Sequence, residues 1–127
     1  APIALACVNG NVSIVKLLLD AGVDPNTVLA EGETALMTAA RTGDLDVVKL
    51  LLDRGADVNS ADTWRGQTAL MWAAAEGHAQ VIAAMLSYGA DVTARSDKGW
   101  TPLLFAVRQG QIDVVQTLLE AGADVIW

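Results

Sequence analysis

Residues that form catalytic and metal sites are scarce in this sequence. The 127 residues include one cysteine, one histidine and few aromatic side chains. A single cysteine cannot form an intramolecular disulfide bond, which excludes a disulfide-stabilised scaffold. The sequence shows no nucleophile paired with a base, no carboxylate pair, no phosphate-binding glycine loop and no metal cluster. We therefore predict no enzyme, no cofactor and no catalytic or metal-binding residues.

Positive charge is also scarce. Eight Lys and Arg residues stand against fifteen Asp and Glu residues, which gives a formal net charge of −7. The phosphates of nucleic acid would repel such a chain, as would an anionic membrane surface, and no run of basic residues offsets the repulsion. No stretch approaches the roughly 20 apolar residues of a membrane-spanning helix. We expect no nucleic-acid or membrane partner, and a soluble chain for which the cytoplasm is favoured over secretion.

An internal repeat is the most informative feature that the sequence does contain. One kind of tetrapeptide occurs four times, at intervals of 33, 34 and 33 residues. Its copies are Ala1-Pro2-Ile3-Ala4, Thr34-Ala35-Leu36-Met37, Thr68-Ala69-Leu70-Met71 and Thr101-Pro102-Leu103-Leu104. Nine residues after the start of each copy stands a glycine: Gly10, Gly43, Gly77 and Gly110. A constant period of this length indicates stacked structural modules.

Two further landmarks keep the same period and carry a family resemblance. Each repeat contains an apolar pair and closes on a Gly-Val-Asp or Gly-Ala-Asp triplet, at residues 22–24, 55–57, 89–91 and 122–124. Over its whole length the chain resembles the ankyrin repeat, whose motif reads G-x-T-P-L-H-x-A-A-x-x-G-H-x-x-V-V-x-x-L-L-x-x-G-A-D-V-N. The resemblance implies an all-α ankyrin-repeat solenoid of four stacked helix pairs with projecting β-turn fingers. It also implies one domain, residues 1–127, with modules of approximately residues 1–31, 32–65, 66–98 and 99–127.

The second module shows why each unit is expected to form two helices. Thr34 is a predicted N-cap, and Gly43 can take the left-handed conformation that ends a helix. Asp44 is predicted to cap the second helix, whose apolar residues recur at separations of three and four and define a buried stripe. Every first helix also holds an alanine that would let neighbouring first helices approach closely, at Ala6, Ala39, Ala73 and Ala106. Larger residues on the second helices would then curve the stack and create a concave binding surface.

The chain departs from the family motif at the fourth residue of the tetrapeptide. The family usually has histidine there, whereas this chain has Ala4, Met37, Met71 and Leu104. We expect apolar packing in place of a polar network, because methionine fills irregular gaps well. The Thr-Ala-Leu-Met variant is more similar to bacterial ankyrin arrays than to animal ones.

Several residues of reactive or metal-binding types are better explained by structural roles. We interpret Cys7 as a small core residue rather than a reactive thiol, because free cysteine is usually buried. His78 follows a helix-ending glycine and is interpreted as a turn or cap residue rather than a general base. Four aspartates are spaced by whole modules, so they cannot converge on one ion, and we predict that they stabilise turns: Asp24, Asp57, Asp91 and Asp124.

The aromatic residues are confined to the second half of the chain. None precedes residue 64, and most fall at positions that vary and face partners in ankyrin arrays. Tryptophan, tyrosine and arginine are the residue types that dominate binding energy at interfaces. We therefore predict a non-catalytic module that binds a protein of unknown identity through its concave face and finger tips, and expect Glu31 and Glu33 to contribute less. The predicted partner-binding residues are Trp64, Arg65, Trp72, Tyr88, Arg95, Trp100, Phe105 and Arg108.

The ends of the chain support an alternative. A repeat stack exposes its last apolar interface unless a terminal module has a polar outer face, and neither end has one. The ends are typical of a segment of a longer array, or of a structural module that self-associates as a homo-oligomer. Ile126 and Trp127 replace polar family positions, and we expect them to pack against another chain or the last helix pair.

Overall fold

The computed structural model describes residues 1–125, which form four consecutive pairs of α-helices. The pairs are α1 (Pro2–Asn9) with α2 (Val12–Asp20), α3 (Ala35–Thr42) with α4 (Leu45–Asp53), α5 (Ala69–Glu76) with α6 (Ala79–Ser87), and α7 (Pro102–Gln109) with α8 (Ile112–Glu120). Within residues 1–125, β-structure is limited to two isolated bridges, Val28 with Thr34 and Ala61 with Thr68. The all-α prediction is confirmed. The predictions for Ile126 and Trp127 fall outside the described residues.

Short polar side chains cap five of the eight α-helices of residues 1–125, and glycines end the first helix of each pair. Thr34 accepts a hydrogen bond from the backbone N–H of Met37 at 3.3 Å, and Thr68 and Thr101 cap α5 and α7 in the same way. Gly43 ends α3 with a φ of 80°, a left-handed conformation that other residues adopt only with strain. Asp44 then caps α4 by accepting from the N–H of Val47 at 3.1 Å. Both caps of the second module are as predicted.

Successive helix pairs stack side by side. The first helices α1, α3, α5 and α7 pack in a row, and the second helices α2, α4, α6 and α8 pack in a parallel row. The recurring alanine of each first helix is buried, which confirms that these small side chains lie at the close contact. Met37 and Met71 are also buried in this row, in agreement with the predicted apolar replacement of the family histidine.

Asparagine side chains tie neighbouring modules together in the loops after the second helices. The amide of Asn59 donates to the carbonyl oxygen of Gly89 at 3.1 Å and accepts from the N–H of Asp91 at 2.8 Å. Asn26 makes the same two bonds one module earlier. At the corresponding place after α6 stands Thr93, whose hydroxyl donates to Asp91 within its own turn at 2.6 Å. The junction before the last pair therefore lacks the asparagine bridge of the two earlier junctions.

Three of the four module-spaced aspartates act in turns, as predicted. Asp24, Asp57 and Asp91 each accept a hydrogen bond from the backbone N–H two residues later, at 2.8, 2.9 and 2.8 Å. The hydroxyl of Thr93 adds a second bond to Asp91, and together these bonds hold the pKa of Asp91 below its ordinary value.

The two ends of the stack expose apolar side chains at positions that internal modules bury. Ile14 is exposed on α2, whereas its counterparts Val47 and Val81 are buried against a preceding module. Val107 is exposed on α7, whereas its counterpart Ala74 is buried beneath a following module. Other large apolar side chains exposed on the end modules are Leu5, Val8, Leu17, Ile112, Leu119 and Val125.

Candidate protein-binding groove

The second finger, residues 60–67, is shaped by a buried carboxylate. Asp62 accepts hydrogen bonds from the backbone N–H groups of Trp64, Arg65 and Gln67 at 3.1, 2.8 and 3.4 Å. The finger is closed by a bond from the N–H of Asp62 to the carbonyl oxygen of Gln67 at 2.9 Å. Asp62 thereby fixes the backbone that carries Trp64 and Arg65, and the side chain of Trp64 remains 51% exposed.

Backbone hydrogen bonds join the second finger to the first finger, residues 27–33, and to the third finger, residues 94–100. The N–H of Thr63 donates to the carbonyl oxygen of Glu31 at 2.8 Å, and the N–H of Asp97 donates to that of Arg65 at 2.9 Å. Gly66, with a φ of 68°, lies beside the second contact, where a Cβ would be 3.1 Å from the backbone nitrogen of Asp97. The fingers therefore form one continuous wall beside the first helices.

A groove of about 510 Å³ lies between this wall and the first helices α5 and α7. The second and third fingers supply one side, and the exposed side chains of α5 and α7 supply the other. The groove brings together six of the eight predicted partner-binding residues: Trp64, Arg65, Trp72, Trp100, Phe105 and Arg108.

Two of the predicted residues lie elsewhere. Tyr88 ends α6, in the row of second helices, and its hydroxyl donates a hydrogen bond to Asp53 of the preceding module. That bond raises the pKa of Tyr88 above its ordinary value. Arg95 lines a separate cavity beside the last module, and its guanidinium donates to the carbonyl oxygen of Gly99 at 3.3 Å. The structure therefore places Tyr88 and Arg95 outside the groove, because the residue before Gly89 and the start of the third finger point to other surfaces.

Phe105 is in the groove region but not at its surface. We expected its side chain to be exposed at the fifth position of the repeat motif, and it is only 6% exposed. Its ring lies 5.3 Å from that of Trp100, at an interplanar angle of 42°, and Arg108 lies on the same ring cluster. Phe105 is therefore covered by its neighbours and packs beneath the residues that form the surface of the groove.

Two arginines are stacked on tryptophans in the groove. The guanidinium carbon of Arg65 lies 4.0 Å from the ring centroid of Trp64, and that of Arg108 lies 4.8 Å from the centroid of Trp100. Such cation–π contacts contribute about 0.5–1 kcal/mol each at exposed sites. Among residues 1–125 the ion pairs are those of Lys16, Arg41 and Arg54, so the two stacked guanidiniums have no carboxylate within 4.0 Å.

The groove also contains a buried polar atom that the sequence did not reveal. Gln67 is 8% exposed, and its side-chain carbonyl oxygen has no hydrogen-bond donor in the part of the chain that the structure describes. A buried acceptor left unpaired costs about 1–3 kcal/mol. In the sequence, Gln67 stands at a variable finger position directly before the capping threonine. That position does not predict a buried side chain.

A smaller acidic recess adjoins the groove. It has a volume of about 150 Å³ and is lined by Glu31, Glu33 and Asp62 together with Trp64 and Trp72. Arg41 also lines it, where its guanidinium lies 3.7 Å from a carboxylate oxygen of Glu33. The two acids that we placed in an aromatic-poor half therefore lie next to two tryptophans, because the first finger packs directly on the second.

Cys7 and His78, the two residues of reactive type, both occupy structural positions. Cys7 is buried as predicted, and burial raises the pKa of its thiol to about 11, so the thiol stays protonated at neutral pH. His78 precedes α6 without a capping bond from its side chain. Its Nε2 instead donates to the carbonyl oxygen of Arg41 at 3.0 Å, and its ring covers Gly43. His78 thus occupies the N-cap position of α6, in agreement with the turn-or-cap interpretation, but its side chain links two modules instead of capping the helix.

Neither a metal cluster nor a membrane span is found in the described residues. Over residues 1–125, no three His, Cys, Asp or Glu side chains are close enough to hold a metal ion. None of the helices in that range has the length and apolar character needed to cross a membrane.

Comparison with known proteins identifies the fold. The family model for ankyrin repeats (3 copies) matches residues 1–62 and 60–126. No curated protein matches the chain. Ankyrin repeats are generally protein–protein interaction modules and are typically non-catalytic. Because the match extends over almost the whole sequence and the helix pairs follow the same period, the chain belongs to the ankyrin repeat family.

Proposed function

We propose that this chain is a non-catalytic module that binds a protein partner in the groove between the fingers and the first helices. The single observation that supports this function is the cluster of three tryptophans and two stacked arginines along one open groove. Tryptophan and arginine are the residue types most enriched where interface binding energy concentrates. The rest of the described surface shows no second cluster of this composition.

The rigidity of the groove favours binding as well. Asp62 holds the second finger, and the backbone bond from Asp97 to Arg65 joins it to the third finger. The tryptophans are therefore positioned before a partner arrives. A preorganised surface loses less conformational entropy on association, so more of the contact energy appears as affinity.

An NMR titration tests this function. Peptides are selected from a random display library on the immobilised chain, and the tightest one is added to the labelled protein. We expect the indole N–H signals of Trp64, Trp72 and Trp100 to shift, because their rings line the groove. The backbone signal of Lys49, on α4, should stay in place. Shifts restricted to the second helices, or a library that yields no peptide above an empty surface, would contradict the proposal.

A second candidate function is self-association of the chain through the ends of the stack. It is favoured by the apolar side chains that α1, α2, α7 and α8 expose at positions buried in internal modules. Because the modules are similar, the last module of one copy can pack on the first module of another copy in the way that neighbouring modules pack within the chain. Such a head-to-tail contact is heterologous and builds chains of copies.

Sedimentation velocity over a wide concentration range tests self-association. We expect the mass to rise with concentration, and a Val107→Glu variant to remain monomeric because it places a charge in the contact. Ala83→Glu is the control, since Ala83 is an exposed apolar residue on α6, in an internal module. A wild-type chain that stays monomeric at every concentration would refute this candidate.

A further inference from the structure

The stacked arginines and the unpaired glutamine oxygen point to the chemistry of the partner. We propose that the groove accepts an extended segment of a partner protein in which acidic side chains flank one large apolar side chain. The carboxylates bind Arg65 and Arg108, the apolar side chain packs on Trp72, and a backbone N–H of the segment donates to Gln67. This inference rests on the proposed function and names the ligand of the same groove.

The cation–π contacts favour an acidic ligand over a basic one. A cationic ligand would compete for aromatic faces with the protein's own cations, because one face each of Trp64 and Trp100 already carries a guanidinium, from Arg65 and Arg108. A guanidinium stacked on a ring keeps its N–H donors at its edge, where they can bind a carboxylate in bidentate fashion. The stack also holds the donors in place before binding.

The charge distribution agrees with this choice. Although the whole chain has a net charge of −7, the groove is lined by three cations, Arg65, Lys98 and Arg108, and by two anions, Glu76 and Asp97. The excess of positive charge is local, because the adjoining recess contains Glu31, Glu33 and Asp62. An acidic segment would thus be attracted to the groove and repelled from the neighbouring surface, which fixes where it binds.

Trp72 and Gln67 determine which groups the middle of the bound segment presents to the groove. Trp72 is half-buried on α5 and borders both the groove and the acidic recess. Its ring offers an apolar surface between the two charged regions, suited to one large apolar side chain. Gln67 lines the same groove, and its side-chain oxygen is unpaired and shielded from solvent, so it gains a donor when the amide turns towards a bound segment. An extended peptide presents backbone N–H groups outward, whereas a helix uses most of its own internally.

The peptides selected from the display library test the inference directly. We expect them to be enriched in Asp or Glu on both sides of a large apolar residue, and their affinity to fall as salt is raised. Arg108→Gln should weaken binding about tenfold, because it removes a charge-assisted contact, and Arg65→Gln should act similarly. Arg108→Lys keeps the charge but loses the fork geometry, and should also weaken binding several-fold.

Gln67→Met provides a separate readout. Methionine has a similar length and no unpaired acceptor, so the free protein should be at least as stable as wild type while its affinity for the peptides falls. Lys49→Gln removes one positive charge from the exposed surface of α4 and is the matched control for the arginine variants. It should leave both affinity and stability unchanged.

The variants separate this inference from the proposed function. If Trp100→Ala abolishes binding but the arginine variants bind normally, the groove is the site and the acidic chemistry is wrong. Selected peptides that are basic or uncharged would overturn the inference in the same way. If Gln67→Met binds as wild type does, Gln67 is not part of recognition. If Trp100→Ala also binds normally, the groove is not the site and both proposals fail.

Discussion

Replacing Ile82 with alanine is expected to lower the free energy of unfolding by about 2–5 kcal/mol, the usual cost of truncating a fully buried isoleucine. Ile82 lies in α6 and is completely buried between neighbouring helix pairs. The substitution removes apolar contacts and leaves a cavity that close-packed neighbours fill only partly. Since domains of this size unfold with about 5–15 kcal/mol, the loss would be a large part of the total. Chemical denaturation followed by circular dichroism measures it.

The chain offers a matched control for this prediction. Ile112 occupies the first turn of α8, again in a second helix, but is 73% exposed. Ile112→Ala deletes the same atoms from water rather than from the core, and alanine is the better helix former. We expect a change within about 0.5 kcal/mol, measured at low protein concentration. Equal losses in the two variants would show that α6 is not packed between modules.

The largest expected effect on binding is that of Trp100→Ala. Trp100 is half-buried beside Phe105 and carries the guanidinium of Arg108 on its ring. Truncation removes the aromatic surface and releases the arginine from its position. At a buried interface anchor such a change costs 2 kcal/mol or more, roughly a thirtyfold loss of affinity. Isothermal titration calorimetry with a selected peptide measures this loss.

Tyr88→Ala is the aromatic control for Trp100→Ala. Tyr88 lies on the row of second helices, bonded to Asp53, and outside the groove. Its truncation should leave affinity unchanged, although Tyr88 is among the binding residues predicted from the sequence. If Trp100→Ala instead lowers the melting temperature by many degrees and leaves affinity intact, that tryptophan serves the core and not the interface.

Features set by the local chain were predictable from sequence. Thr34 caps its helix, Gly43 ends it and Asp57 stabilises a turn because each acts on backbone within a few residues. The position of Phe105 was not predictable, since its burial depends on Trp100 and Arg108, which approach from another finger and another turn of α7. Tyr88 lies outside the groove because it directly follows α6, in the row of second helices, where its hydroxyl bonds to Asp53 of the preceding module.

The groove itself was predictable in composition but not in detail. The restriction of tryptophans to variable positions pointed to Trp64, Trp72 and Trp100, which the structure brings together. The unpaired oxygen of Gln67 and the acidic recess had no counterpart in the sequence pattern. Both arise from how one finger packs on the next, and a one-dimensional repeat does not record distances between fingers.

Thr93 stands where the two earlier junctions have a bridging asparagine, and this difference should affect local unfolding of the last helix pair. Solenoids unfold in segments whose local stability depends on the junctions between neighbours, so the pair α7–α8 should detach at lower free energy than the pairs before it. That pair also carries Phe105 and Arg108, one side of the groove. A ligand spanning the groove would bind only the closed form and so slow the detachment of α7–α8. Amide hydrogen exchange in these two helices would then report occupancy of a site that lies mostly on their neighbours.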